Sequence, residues 1–156
     1  MRIMNIIERL FYKPSAKDNT NPNESVQRGY WGEKMAISHL IGKGWRIIER
    51  NARPCRYDKR CELDIVAYIP TEEQVVFVEV KTHRRHSSYA SRLWAVDRRK
   101  RANLLRASAS WLKMRKWHGN CRFDVIEIYG EQGSDAPIEI DHIMNVKLFP
   151  PNWRFW

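Results

Sequence analysis

The stretch VVFVEVKTH, residues 75–83, alternates like a buried strand until Glu79 and Lys81 fall where apolar side chains are expected. Upstream, ELDIVAYI, residues 62–69, reads as a second strand carrying Glu62 and Asp64. PTEE between them closes a hairpin. With Ile69 opposite Gln74, Asp64 faces Glu79 and Glu62 faces Lys81, and alternation turns all four toward one face. A register slip of two residues would leave them on that face. Carboxylates ~5 Å apart across a ladder repel each other. A lysine or arginine can neutralise such a pair, or a divalent cation can sit between the oxygens. Mg²⁺ suits this because it takes oxygen ligands and keeps several of its waters. In that case Lys81 beside the metal could stabilise developing negative charge or position a nucleophile. The plainer reading is a salt-bridge cluster of Glu62, Asp64, Glu79 and Lys81 at a sheet edge. An isolated ExK string carries little information; ELD, a turn and FVEVK at compatible register are more specific and favour chemistry.

Several elements must hold these groups in place. Ser25 is a candidate N-cap for a helix running to about Lys43, with an apolar stripe of Val26, Tyr30, Ile37, Leu40 and Ile41. Glu33 fills a gap in that stripe, either as an edge residue reaching solvent or as an acid aimed at the same site. GKGWRIIERN stops the helix and begins a strand, residues 45–50; NARPCRYDKRC is a polar, basic loop. THRRHSSYAS, after the hairpin, is another basic loop. A long helix follows from about Leu93 to Trp117, with Val96, Leu104, Ala107 and Trp111 on one face. Lys100 lies on that stripe and either reaches the site or a bound phosphate, or snorkels at the helix rim. CRFDVIEIYG is a further strand, and APIEIDHIMNVKLF a strand or a strand and a turn. The order predicts an α/β domain over residues 25–149, with a mixed central sheet flanked by helices. Residues 1–24 read as a short amphipathic helix and a flexible linker, and residues 150–156 as an aromatic tail. The helix at 2–12 could pack on the domain, on a partner or on a membrane surface. No internal repeat is visible.

The 156 residues include 28 Lys and Arg against 18 Asp and Glu, a formal charge of +10. Such an excess suits a polyanionic partner, most simply nucleic acid, although a solvated basic surface or an acidic membrane would also account for it. No apolar run approaches the ~20 residues of a membrane span, and charges interrupt the apolar start, so neither integral membrane association nor a signal peptide is expected. A cytoplasmic protein is the expectation. Cys55, Cys61 and Cys121 form no CxxC pair, which argues against zinc and against a disulfide framework. Cys55 and Cys61 could pair, but free thiols are simpler.

GYWGEKMAISHLIGKGWRIIERNAR, ELDIVAY, VVFVEVKTHRR, Lys100 and RFDVIEI, spanning about residues 29–129, together resemble the PD-(D/E)XK nuclease superfamily, with its restriction-endonuclease-like three-layer fold. More specifically, the chain is similar to the YraN-like family of small uncharacterised proteins related to archaeal Holliday-junction resolvases. The resemblance implies that Asp64 and Glu79 are metal ligands and that Lys81 is the motif lysine. It also implies that Glu33 is the acid contributed by the helix and that Glu62 is the glutamate of the family's GEID string. Arg122, Phe123 and Asp124 match an RFD strand with a structural role. Two departures stand out: Cys61 replaces the usual glycine, and PCRYDKR is longer and more basic than the family pattern. The implied reaction is Mg²⁺- or Mn²⁺-dependent endonucleolytic hydrolysis of structured DNA, with branched DNA, single strands, ends and RNA left open as the substrate. Arg84, Arg85, Arg92, Arg98, Arg99, Lys100 and Arg101 could hold the nucleic-acid backbone. No base-reading module is evident, which favours structure-selective binding. The alternative functions are a non-catalytic nucleic-acid-binding module and an accessory protein docked through the N-terminal helix. Analogy with resolvases leaves a homodimer open, with Trp153, Phe155 and Trp156 as a candidate interface.

Overall fold

The apolar runs emerge as two helices and five strands in a computed structural model that describes residues 24–84 and 98–149. Helix α1 (Glu24–Gly42) precedes β1 (Arg46–Ala52), β2 (Leu63–Ile69) and β3 (Gln74–His83); helix α2 (Arg98–Arg115) precedes β4 (Asn120–Tyr129) and β5 (Glu139–Ile143). The strands form one sheet in chain order. β1, β2 and β3 are an antiparallel meander, β4 joins β3 in parallel, and β5 returns antiparallel. A parallel neighbour requires a crossover, and α2 lies within it.

Alternation gives the sheet two buried faces. Val66, Tyr68, Val75, Phe77, Phe123 and Val125 cluster with Leu104, Ala107, Trp111 and Leu112 of α2. The intervening Ile65, Ala67, Val76, Val78, Ile126 and Ile128 cluster with Trp31, Met35, Ala36 and Leu40 of α1. Cover on both faces is why β2 and β3 read as nearly continuous hydrophobic runs. The result is helix, sheet and helix, the three-layer α/β arrangement of a restriction-endonuclease-like fold. Among the described residues no helix is long and apolar enough to cross a membrane.

The face that α1 buries differs from the expected stripe. Val26, Tyr30 and Ile41 are exposed, while Trp31, Met35, Ala36 and Leu40 are buried. Two contacts set that rotation. The Trp31 indole N–H donates to the Ser134 carbonyl (2.9 Å), and Gly32 sits so close to β3 that a Cβ there would overlap the Thr82 hydroxyl. Strand limits shift as well. β1 runs to Ala52, with a register break between Ile47 and Glu49. β3 extends to His83 because β4 offers a parallel partner as far as Tyr129. α2 ends at Arg115; Lys116 takes a left-handed φ of 51° and the Trp117 N–H returns to the Leu112 carbonyl (3.0 Å). β5 is short, and the chain then folds back, with the Val146 N–H on the Phe123 carbonyl (2.7 Å) and Leu148 in the core.

Asp124 of the RFD strand is buried and structural. It accepts from Arg122 Nε (3.0 Å) and the Asn145 N–H (2.8 Å), and His142 Nε2 lies 2.9 Å from it. Burial opposes its charge, but these donors prevail and hold its carboxyl below the ordinary range. α1 begins at Glu24, which puts Ser25 within the helix rather than at its N-cap. Residues 1–23, the Ser25 side chain, Arg85, Arg92, Val96, the Arg98 side chain and the aromatic tail lie outside what the structure describes.

Candidate active site

The β2–β3 ladder pairs Ile69 with Gln74 and continues to Ile65 with Val78, the register expected from the turn. One step further, where Asp64 and Glu79 would be opposed, the ladder is closed by a side chain: Asp64 Oδ2 accepts the Val80 N–H (2.8 Å). Glu79 is buried on the face covered by α2. Its Oε1 accepts from Lys81 Nζ (3.3 Å), two residues along the strand, and from Lys100 Nζ, delivered by α2. Of the two readings of Lys100, the inward one matches this geometry.

Burial first, and the neighbouring Glu79 carboxylate second, push the Asp64 carboxyl up to about 7, against the Val80 N–H. Burial acts to lower Lys100, but Glu79 and Asp64 outweigh it and hold the ammonium above its ordinary value. Two acids and two lysines therefore share one electrostatic cluster. Asp64, Glu79 and Lys100 line a cavity of about 280 Å³ together with Glu62, Asn103 and two cations of the β1–β2 loop, Lys59 and Arg60.

Glu33 approaches from α1 and is engaged by β1. Asn51 Nδ2 donates to its Oε2 (3.1 Å), and Arg50 Nη2 lies 3.6 Å from the same oxygen. Asn51 adopts a left-handed φ of 48°, which asparagine tolerates better than most residues. Burial raises the Glu33 carboxyl above its ordinary value, opposed by Asn51 and Arg50, and its charge also reaches Asp64. Glu62 does not face Lys81 as the hairpin register predicts. β2 begins only at Leu63, and Arg53 holds Glu62 Oε2 through Nε (3.1 Å) and Nη2 (2.9 Å). Among the described residues no three His, Cys, Asp or Glu side chains are gathered as a ready metal cage. The convergent pair is Asp64 and Glu79; Glu33 and Glu62 are each held by their own partners nearby.

The sequence reading missed a second set of groups. Glu127 on β4 is buried beside Lys81 in the parallel register. Tyr129 donates its hydroxyl to Glu127 (2.7 Å), and burial followed by this bond raises the phenol above its ordinary value. His83 stacks on Tyr129 with ring centroids 5.1 Å apart, and its Nε2 lies 3.8 Å from the Glu127 carboxylate. The signal was present: Glu127 is in phase with Phe123 and Val125, so an acid occupied a buried position there, as at Glu79. Of the expected backbone-binding arginines, Arg84, Arg99 and Arg101 are exposed at the surface, Arg101 donating to the Lys147 carbonyl (2.7 Å).

Comparison with known proteins places these residues in a family context. The model of the uncharacterised protein family UPF0102 matches residues 32–128. A UPF0102 protein of Pelobacter propionicus is 46% identical over 134 residues, covering 85% of this chain and 91% of that protein. Those of Syntrophomonas wolfei and Mycobacterium ulcerans are 40% and 41% identical, covering 75% and 78% of this chain and 94% of each relative.

Proposed function

The chain belongs to the uncharacterised protein family UPF0102, and from the geometry of its site we infer that it is a metal-dependent endonuclease acting on structured DNA. The observation that carries this reading is the convergence of Asp64 and Glu79 with Lys81 and Lys100 beside a cavity lined by further cations. Two largely buried carboxylates side by side need positive charge, and their oxygens suit Mg²⁺ or Mn²⁺. Asp64 and Glu79 would hold the ion; Glu62, which lines the same cavity, and Glu33, whose charge reaches Asp64, are the further candidate ligands. When bound, the ion supplies Lewis-acid charge neutralisation and an activated water.

The protein's own groups do the rest. Lys81 stays partly exposed while bonded to Glu79, so its ammonium can meet a phosphate oxygen as negative charge develops there. Lys100 fixes the Glu79 carboxylate from the opposite layer. Lys59, Arg60, Arg84 and Arg99 offer backbone contacts, which position a strand without choosing its sequence. The competing reading, a non-catalytic nucleic-acid-binding module, is favoured by one feature: Lys81 and Lys100 both pair with Glu79, so the protein's own cations balance its charge.

The test is cleavage of labelled junction, flap, duplex and single-stranded DNA with Mn²⁺ and with chelator, wild type beside Glu79→Gln. Metal-dependent cutting that the substitution abolishes supports the nuclease and names its substrate. Binding without cutting, unchanged by Glu79→Gln, replaces it with the binding module. Neither binding nor cutting removes the nucleic-acid reading.

A further inference from the structure

The loop between β1 and β2 carries RPCRYDKRC, residues 53–61. At its tip Tyr57 is 90% exposed. The Arg56 guanidinium lies 5.5 Å from its ring centroid. A bare aromatic ring at a loop tip adds nothing to the core, yet this loop is held firmly. The Asp58 carboxylate accepts from the Arg60 N–H (3.0 Å), from Arg60 Nε (2.9 Å) and Nη2 (3.1 Å), and from Arg106 of α2. Two successive turns support it, with the Asp58 N–H on the Cys55 carbonyl (3.2 Å) and the Cys61 N–H on the Asp58 carbonyl (3.1 Å). Arg106 also donates to the buried Cys61 thiol (3.2 Å), so the Cys61 side chain helps to clamp the loop onto α2.

The clamp fixes a sequence of groups. Tyr57 stands at the tip, Lys59 and Arg60 line the cavity, and Asp64 and Glu79 line the same cavity beyond them. We propose that Tyr57 is a stacking platform for an unpaired nucleobase, whose strand lays its phosphates on Lys59 and Arg60 on the way to the Asp64–Glu79 pair. The inference rests on the nuclease reading above and narrows its substrate to nucleic acid with unpaired nucleotides beside the cut. Charge and shape both point to this occupant. Residues 53–60 hold four cations and one carboxylate, which suits a polyanionic backbone. An open π-face among cations is how proteins hold single strands without reading their sequence. Bases inside a duplex have both faces covered by neighbours, so only an unpaired or terminal base can use the ring.

Binding is measured by fluorescence anisotropy in chelator, so that nothing is cut, with three labelled DNAs: a duplex with an unpaired arm, the same with abasic sites in the arm, and a continuous duplex. A parallel arm in RNA separates the two kinds of strand. Wild type should favour the base-bearing arm. Tyr57→Ala should weaken that binding roughly tenfold, leave the duplex and the abasic arm unchanged, and leave the salt dependence unchanged. Tyr57→Trp should restore it. Lys59→Ala should instead weaken all three DNAs and lower the salt slope by about one. Tight binding of the arm that Tyr57→Ala does not alter overturns the platform and leaves the nuclease reading intact. No binding of any nucleic acid by wild type overturns both.

Discussion

Lys100 of α2 and the Glu79 carboxylate of β3 form an ion pair in which the acid is 4% exposed and the lysine side chain 45%. The lysine thus comes from solvent to the one oxygen, Oε1, that also accepts from Lys81. A divalent cation at Asp64 and Glu79 must share or displace that contact. Lys100→Met keeps most of the stem and removes the charge. The metal-free protein should lose about 1 kcal/mol, a small cost because Glu79 keeps Lys81 and the lysine head is well solvated. Mn²⁺ affinity, read by calorimetry, should rise severalfold while cleavage falls. Equal or weaker Mn²⁺ binding would show that the lysine and the metal do not compete.

Asp64 should make stability depend on pH with an unusual sign. Its carboxyl is raised from the ordinary 3.8 to about 7, by burial and then by Glu79. Between those values the folded state keeps a proton that the unfolded chain has released. The stabilisation is therefore fully present below about pH 4 and is lost as pH rises through about 7, amounting to at most about 4 kcal/mol. Urea midpoints of the metal-free protein should fall across that window, and Asp64→Asn should flatten the trend, since its amide oxygen can still accept the Val80 N–H. Mn²⁺ affinity should move the other way, weakening about tenfold for each pH unit below 7 as protons compete for the ligand. A metal-free profile that rises from pH 4 to 7 in wild type but not in Asp64→Asn would refute the assignment.

What the sequence made legible follows from the range over which each signal acts. The hairpin register was readable because PTEE fixes Ile69 against Gln74 and strand alternation carries that pairing toward Asp64 and Glu79. Lys100 was readable because helical period places it one turn above Leu104 on a face that has to be buried. Glu127 was not assigned, because its nearness to Lys81 depends on which strand β4 joins after a crossover, and no local pattern specifies that. Glu62 was assigned to the wrong partner, since a strand end one residue later let Arg53 take it. The face of α1 was misjudged because counting apolar positions weighs Val26 and Ile41 equally with Trp31, and gives no weight to a glycine.

Gly32 offers the clearest way to test how α1 is seated, because the seat and helix propensity predict opposite signs. In an open helix position Gly→Ala stabilises by about 1 kcal/mol. Here a Cβ would overlap Thr82 Oγ1 and press on Thr82 Cβ (3.2 Å) and Cγ2 (3.3 Å). Forcing atoms into a packed interface costs roughly 1–3 kcal/mol, so Gly32→Ala should be net destabilising in urea melts. Thr82→Ala removes the hydroxyl and the methyl but keeps the Cβ, so in that background Gly32→Ala should cost clearly less, a coupling that a double-mutant cycle reads directly. Glu33 is the next residue of the helix, held 3.1 Å from Asn51. Lifting α1 from β3 should therefore reduce cleavage beyond the loss of folded protein. A stabilising Gly32→Ala, indifferent to Thr82, would mean that the helix does not rest on β3 at this point and that Glu33 is not positioned through it.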